Sequence, residues 1–152
     1  MKKILTTLVL ALGAALLLQA QEERLSVMVA PPEGLTHRSA VTTLTSNLKQ
    51  ALALNDAAAD SSRFILQTKV AELSKDVTAT APPMFVTELE ISLFITDTKS
   101  GEILSQSSFT VKGIDDSDQA SYMDAVRKVK ARDPRLRAMI KQANEYFFEH
   151  IY

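Results

Sequence analysis

The fold is decided by residues 85–112, FVTELEISLFITDTKSGEILSQSSFTVK. Most large apolar residues of the first half occupy odd-numbered positions, and such alternation is the pattern of a strand with one buried face. They are Phe85, Leu89, Ile91, Leu93 and Ile95. In the second half, Ile103, Phe109 and Val111 share one parity with two serines. We therefore predict a β-hairpin whose second strand has a thin apolar face.

The turn of this hairpin is encoded by residues 97–101, Asp97-Thr98-Lys99-Ser100-Gly101. An Asp side chain at the start of a turn can accept a hydrogen bond from the backbone two residues further on. A Gly can take the positive φ that a short hairpin loop requires. These residues predict a tight connection between the two strands.

The N-terminus has the pattern of a secretory signal. Lys2 and Lys3 precede the apolar run Ile4 to Leu18, and Ala20 is a small residue at the expected cleavage position. The alternative is a retained membrane anchor, but the run is shorter than the roughly 20 residues of a span. We expect a signal peptide at 1–20, a single domain at 21–152 and no transmembrane segment after cleavage.

Charge and cysteine content narrow the function classes. The full chain has 17 basic and 18 acidic residues, and removing Lys2 and Lys3 leaves 15 against 18, a net charge of −3. An exported acidic domain is not expected to bind nucleic acid. The absence of cysteine excludes disulfides and thiolate chemistry, and Gln21 cannot be lipidated as a cysteine could. The predicted location is therefore periplasmic or secreted.

The segment before the hairpin predicts a strand, a helix and a second strand. Apolar alternation marks a strand at 24–30, and three- and four-residue spacing marks an amphipathic helix at 37–54. Thr36 or Ser39 is the predicted N-cap of this helix. Alternation resumes at Phe64, and Ser74 to Met84 has no periodicity, so we predict an irregular connection there.

Two helices are predicted after the hairpin. Ser117 is a suitable N-cap for the first, and Asp133 followed by Pro134 is a typical start for the second. The apolar stripe of the last helix is Leu136, Met139, Ile140, Ala143, Phe147 and Ile151. The order β-α-β-β-β-α-α predicts an α+β two-layer sandwich, with an antiparallel meander and helices on one face. The other face would carry Lys69, Glu88, Glu90, Ser92, Gln106 and Ser108.

No catalytic, cofactor or metal site is predicted. Neither His37 nor His150 lies beside a nucleophile motif, and no zinc-binding spacing is present. Glu88 and Glu90 would stand about 7 Å apart on one strand face, which leaves a small cell-wall or polysaccharide hydrolase as an alternative. A carrier of a small apolar ligand between sheet and helices is a further alternative.

Two candidate interaction sites follow from the sequence. A cationic patch could bind an anionic envelope polymer, a lipid or an acidic protein, although a solvated helix face has the same pattern. It comprises Arg127, Lys128, Lys130, Arg132, Arg135, Arg137 and Lys141. The thinly apolar run of Ser105, Gln106, Ser107 and Ser108 could accept a neighbouring strand if it lies at a sheet edge.

The element order resembles that of small α/β domains of bacterial envelope accessory proteins. The likeness is carried by residues 70–73 (VAEL), 97–102, Gly113, and 125–129 (AVRKV) with the tail to Ile140. This group includes the curli-secretion lipoprotein family, the penicillin-binding-protein activators and the N-terminal domain of the Tol-system propeller protein. The sequence looks most like uncharacterised exported proteins of the Bacteroidota, although Gln21 departs from the lipidated cysteine.

The resemblance implies binding and oligomerisation at the envelope and supplies no catalytic residue. Together with the signal pattern, it predicts a non-enzymatic domain that acts through protein partners or self-association, without a cofactor. An anionic polymer or lipid is a further expected partner.

Overall fold

In a computed structural model that describes residues 24–152, four strands form one open sheet in the order β1-β2-β3-β4. The strands are β1 Val27–Val29, β2 Phe64–Val77, β3 Phe85–Asp97 and β4 Ile103–Asp115. β1 pairs with β2 in parallel, and the other two pairings are antiparallel. The predicted signal peptide and its cleavage position lie outside the described residues.

Three helices complete the chain and pack on one face of the sheet. They are α1 Arg38–Leu54, α2 Asp118–Arg127 and α3 Pro134–His150. The predicted element order and α+β sandwich are therefore confirmed. A crossover through α1 links the parallel pair β1 and β2, and the last three strands form the predicted antiparallel meander.

The core lies between the meander and the helices. Leu89, Ile91 and Leu93 of β3 are completely buried, while the residues between them are half-buried on the opposite face. Leu44 and Leu48 contribute the facing stripe of α1. Burying one face of an alternating strand against helices stabilises the fold by roughly 2 kcal/mol for each large aliphatic side chain.

The helix ends agree with the sequence except at one position. Ser117 accepts a bond from the Ala120 N–H, and Asp133 accepts one from the Arg135 N–H, as predicted for N-caps. The predicted cap of α1 was wrong, because His37 occupies that position without a side-chain cap bond. Instead the His37 ring packs edge-on against Tyr122, with ring centroids 5.1 Å apart.

The strand bounds differ from the prediction at β1 and β2. β1 has only three residues. The predicted irregular connection Ser74 to Met84 was too long, because β2 continues to Val77 and only 78–84 connects it to β3. Beyond Val70 every residue of β2 is exposed or half-buried, although its backbone stays paired with β3. Because neither face is buried there, hydrophobic alternation carries no signal for this part of the strand.

A β-bulge corrects the predicted parity of β4. The register shifts between Ile95, which pairs with Ser105, and Thr96, which pairs with Ile103. The extra residue, Leu104, is buried, whereas Ile103 is 50 % exposed. The prediction that Ile103 faces the core was therefore wrong, because a bulge inserts one residue and reverses the facing of those beyond it.

Candidate functional site

The predicted edge-strand segment lies on β4, which is the last strand of the sheet. Ser105 faces the helices, where its buried hydroxyl donates to the Met139 carbonyl over 2.8 Å. Ser107 has the same parity, while Gln106 and Ser108 are exposed on the open face. The segment is therefore divided between a packed side and an exposed side.

The free edge of β4 presents backbone groups of the even-numbered residues. The Ile114 N–H donates to Asp124 Oδ2 over 3.0 Å and so points away from β3. Since backbone groups of an antiparallel strand alternate between its two sides, those of Gln106, Ser108 and Thr110 point the same way. Within residues 24–152 no backbone or side-chain group bonds them on that side. This leaves an unpaired edge of four alternate residues, of which Lys112 is the last and the only charged one.

The two edges of the sheet differ in their protection. Residues 105–111, SQSSFTV, lie between the β-bulge at Leu104 and Lys112, and they contain no charge or proline, which are two usual means of blocking an edge. At the other side β1 is short, and isolated bridges from Val27 to Ala58 and from Glu33 to Lys69 add further pairing. β4 is therefore the edge suited to accepting a strand.

The open sheet face carries the polar residues that the sequence predicted. Ser92 and Ser108 are cross-strand neighbours, with their hydroxyl oxygens 3.3 Å apart. Glu88 on β3 lies opposite Lys112 on β4, and Glu90 lies opposite Thr110. Both glutamates are half-buried on this open face, and the surface cavities near β1 and at the ends of α1 and α3 are lined by other residues. The hydrolase alternative consequently gains no support from a cleft.

Arg135 is held by internal contacts, so it differs from the rest of the cationic patch. Its Nε and Nη2 lie 3.0 and 2.7 Å from the two carboxylate oxygens of Asp133. Its guanidinium carbon is 3.7 Å from the centroid of the Phe109 ring, a cation–π contact. Hydrogen bonding to Arg135 lowers the pKa of Asp133. Arg135 therefore joins α3 to β4.

The other six predicted patch residues are exposed. Lys128 lies 3.9 Å from Asp124, and Lys141 lies 4.0 Å from Glu145, both as weak helix-surface pairs. The remaining four have no ion-pair partner among residues 24–152. They are Arg127, Lys130, Arg132 and Arg137.

A surface groove that sequence reasoning missed lies between α3 and the end of α1. Its volume is about 560 Å³, and Arg137 and Lys141 of the cationic patch lie along it. The segment before β1 contributes Arg24, which was not predicted as a site residue. Only the tertiary fold brings Arg24 to α3, although the spacing of Arg137, Lys141 and Phe148 already places those three on one helix face.

Asp56 at this groove has a backbone conformation that glycine usually occupies. Its φ is +55°, and the N–H groups of Asp56 and Ala57 bond the carbonyls of Ala53 and Leu52. This is a Schellman motif, in which the residue after the C-cap is left-handed. The predicted helix end at Leu54 is confirmed, and Asn55 is the C-cap.

Among residues 24–152, no group of three or more acidic or histidine side chains is placed to hold a metal ion. In the same range, no helix has the length and apolarity needed to cross a bilayer. The cavities described here are open at the surface, and Leu48, Ile91 and Tyr122 are fully packed between sheet and helices. The carrier alternative thus gains no support from an enclosed cavity.

No family model and no curated protein matches this chain. Among solved structures, a protein of the DUF330 family from Xanthomonas campestris has a TM-score of 0.50 at 13% identity. The match covers 82% of this chain and 86% of that protein. A protein assigned as a lipoprotein from Caulobacter crescentus has a TM-score of 0.48 at 18% identity, and the match covers 79% of this chain and 89% of that protein. A minor lipoprotein from Acinetobacter baumannii has a TM-score of 0.44 at 12% identity, and the match covers 81% of this chain and 90% of that protein.

These likenesses concern the fold, because identities of this size carry no site residues across. The chain thus shares its architecture with the DUF330-family protein from Xanthomonas campestris. The finer resemblance to curli-secretion, penicillin-binding-protein activator or Bacteroidota proteins stays a prediction.

Proposed function

We propose that this protein is a non-enzymatic domain of the bacterial envelope that acts by self-association, with β4 of one copy pairing with β4 of a second copy. The observation that carries the proposal is the unblocked edge at Gln106, Ser108 and Thr110, whose backbone groups have no partner within residues 24–152. An exposed edge of this kind is a template for strand addition.

The sequence of β4 favours a two-fold antiparallel pairing centred on Ser108. In that register, Gln106 lies opposite Thr110 of the second copy, and Ser108 lies opposite its own counterpart. The outward-pointing backbone groups then face each other as hydrogen-bonded pairs. Lys112 would lie beyond the regular pairing, at the β-bulge of the second copy, so no like charges meet. Only small or uncharged side chains meet at the centre of this interface.

An envelope location is supported by the signal pattern of residues 1–20. Export is checked by N-terminal sequencing of the protein from fractionated cells, where we expect Gln21 as the first residue. Recovery of an uncleaved chain in the cytoplasm would contradict this part of the proposal.

The association is tested by light scattering on the purified protein and on Ser108→Pro. The Ser108 N–H points to the free edge, so proline there removes a donor from the partner's side and leaves the β3 ladder intact. We expect the wild type to have twice the monomer mass and the variant to be monomeric. Proline at Ser107 would instead remove a bond to β3 and is unsuitable for this purpose.

Ser108→Lys provides a second test, because the two-fold axis would place two lysines opposite each other. Ser92→Lys is the matched control, since Ser92 lies beside Ser108 on the same face but on an interior strand. We expect the first variant to be monomeric and the control to associate like the wild type. A monomeric wild type, or association that survives both Ser108 variants, would overturn the proposal.

A further inference from the structure

We propose that the groove between α3 and the end of α1 binds an anionic amphiphile, namely a single alkyl chain with a carboxylate or phosphate head group. The residues involved are distinct from those of the β4 edge. Ligand binding and self-association can therefore be measured and can fail independently.

The α3 wall of the groove changes from cationic to apolar along its length. Arg137, Lys141 and Phe148 follow helical spacing and lie on one face, with Ile140 buried beneath them. Arg137 and Phe148 are separated by roughly 16 Å of helix. The Phe148 side chain is 43 % exposed, which is unusual for so large an apolar group. This wall matches a ligand that has a charged end and an apolar end.

The opposite wall reinforces both properties. Arg24 lines the groove from the segment before β1, and Leu25 and Ala57 beside it are buried apolar residues. A smaller recess of about 220 Å³ adjoins the cationic end, where it shares Arg137 and adds Arg132 and Leu54. The combined size falls within the range of small-molecule sites, which is roughly 300–1,000 Å³.

The charge of the groove is unbalanced. Four cations, Arg24, Arg132, Arg137 and Lys141, line the two recesses, and Asp56 is the one acidic residue in their lining. Among residues 24–152, the three arginines have no ion-pair partner, and Lys141 has only its weak contact with Glu145. Unpaired arginines favour carboxylate and phosphate groups, which they can bind through two parallel hydrogen bonds.

An alkyl chain suits the groove better than an acidic peptide does. A peptide brings an amide at every residue, and each amide that is buried without a partner costs free energy. The N–H groups of Asn55, Asp56 and Ala57 are already bonded within the helix end, and the Asn55 side chain donates to the Ala51 carbonyl. Asn144 offers the remaining free amide of the lining. The walls therefore have too few polar partners for a peptide backbone.

Binding is tested by ¹⁵N-resolved NMR titration and calorimetry with dodecyl phosphate and dodecanoate, each below its micelle concentration. We expect both to bind with chemical-shift changes confined to α3, the end of α1 and the segment before β1. The relative affinity of the two probes shows whether the natural ligand is an alkyl phosphate or a fatty acid. Dodecyl maltoside has the same tail without charge, and inorganic phosphate has the head without a tail, so both should bind at least about tenfold more weakly.

Two variants with matched controls locate the site. Arg137→Glu should weaken binding by about tenfold or more, whereas Arg127→Glu on α2 should leave it unchanged. Phe148→Ala should weaken binding by about threefold to tenfold, whereas Leu73→Ala, another exposed apolar residue, should have no effect. The circular dichroism spectrum of each variant establishes that it is folded.

Several results would overturn the proposal. They are equal binding of dodecyl maltoside, tight binding of inorganic phosphate alone, and full affinity in a folded Arg137→Glu variant. An acidic peptide that binds at Arg137 while both anionic alkyl probes fail would also overturn it.

Discussion

The buried carboxylate of Asp97 accepts two hydrogen bonds from the Arg63 guanidinium, so the start of β2 is joined to the end of β3. The same carboxylate accepts bonds from the Lys99 N–H and the Ser100 hydroxyl, over 2.9 and 3.0 Å, and thereby organises the hairpin turn. Asp97 is completely buried, whereas the Arg63 side chain is 41 % exposed. One side chain therefore fixes both the turn and the neighbouring strand.

Stability should fall in acid because of this carboxylate. Hydrogen bonding to Arg63 holds the pKa of Asp97 well below its ordinary value, and Arg135 lowers the pKa of Asp133 in the same direction. A carboxyl whose pKa is depressed in the folded state contributes stability above its unfolded pKa, about 3.9, and loses it as the pH falls through the folded pKa. We expect the melting temperature to decline as the pH falls below about 4.

Asp97→Asn is the control for the acid response. Its melting temperature at neutral pH should be lower than that of the wild type, because the amide replaces a charged acceptor of the Arg63 bonds. Its decline below about pH 4 should be shallower, since one titrating carboxylate has been removed. Parallel acid curves for the two proteins would show that Asp97 does not carry the effect.

Asp56→Gly should stabilise the protein by about 1 kcal/mol. The left-handed φ of +55° costs an L-residue more than it costs glycine, and the negative charge lies at the unfavourable end of the α1 dipole. Urea denaturation should show a higher midpoint with an unchanged slope. Asp60→Gly, in the following loop without positive φ, should not raise the midpoint. A destabilised Asp56→Gly variant would contradict this account of the helix end.

Gly113→Ala should destabilise the protein by about 3 kcal/mol or prevent folding. A Cβ at this position would lie 1.9 Å from the Ser121 carbonyl oxygen and 2.4 Å from the Ala125 nitrogen, so α2 would have to move away from β4. Gly101→Ala is the control, because the space there is open and only the φ of +77° is unfavourable. Its cost should be about 1 kcal/mol, and equal losses in the two variants would refute the close-packing explanation.

The sequence was sufficient wherever one face of an element is buried. Alternation from Leu89 to Ile95 predicted β3, and the caps Ser117 and Asp133 predicted where the last two helices begin. It was insufficient where pairing continues without burial, as in the exposed end of β2 at Val77. The bulge at Leu104 was also not predicted. Alternation cannot reveal an inserted residue when the residues on both sides of it, Ile103 and Ser105, are apolar or small.

The candidate sites were only partly predictable for a related reason. Composition identified the cations of α2 and α3 but could not show that Arg135 is held by Asp133 and Phe109. It also could not place Arg24 beside Arg137, since residues so far apart in sequence meet only through the tertiary fold.

The unequal edges of the sheet limit the size of any assembly built by strand addition. Such growth becomes a fibre when every added subunit exposes a fresh edge equivalent to the one just consumed. Here β4 is the suitable edge. At the opposite edge, β1 is short, and the side of β2 that faces β1 is also paired through the bridge between Glu33 and Lys69. Once two copies have joined through β4, neither presents a comparable acceptor edge within residues 24–152, so we expect growth by strand addition to stop at the dimer.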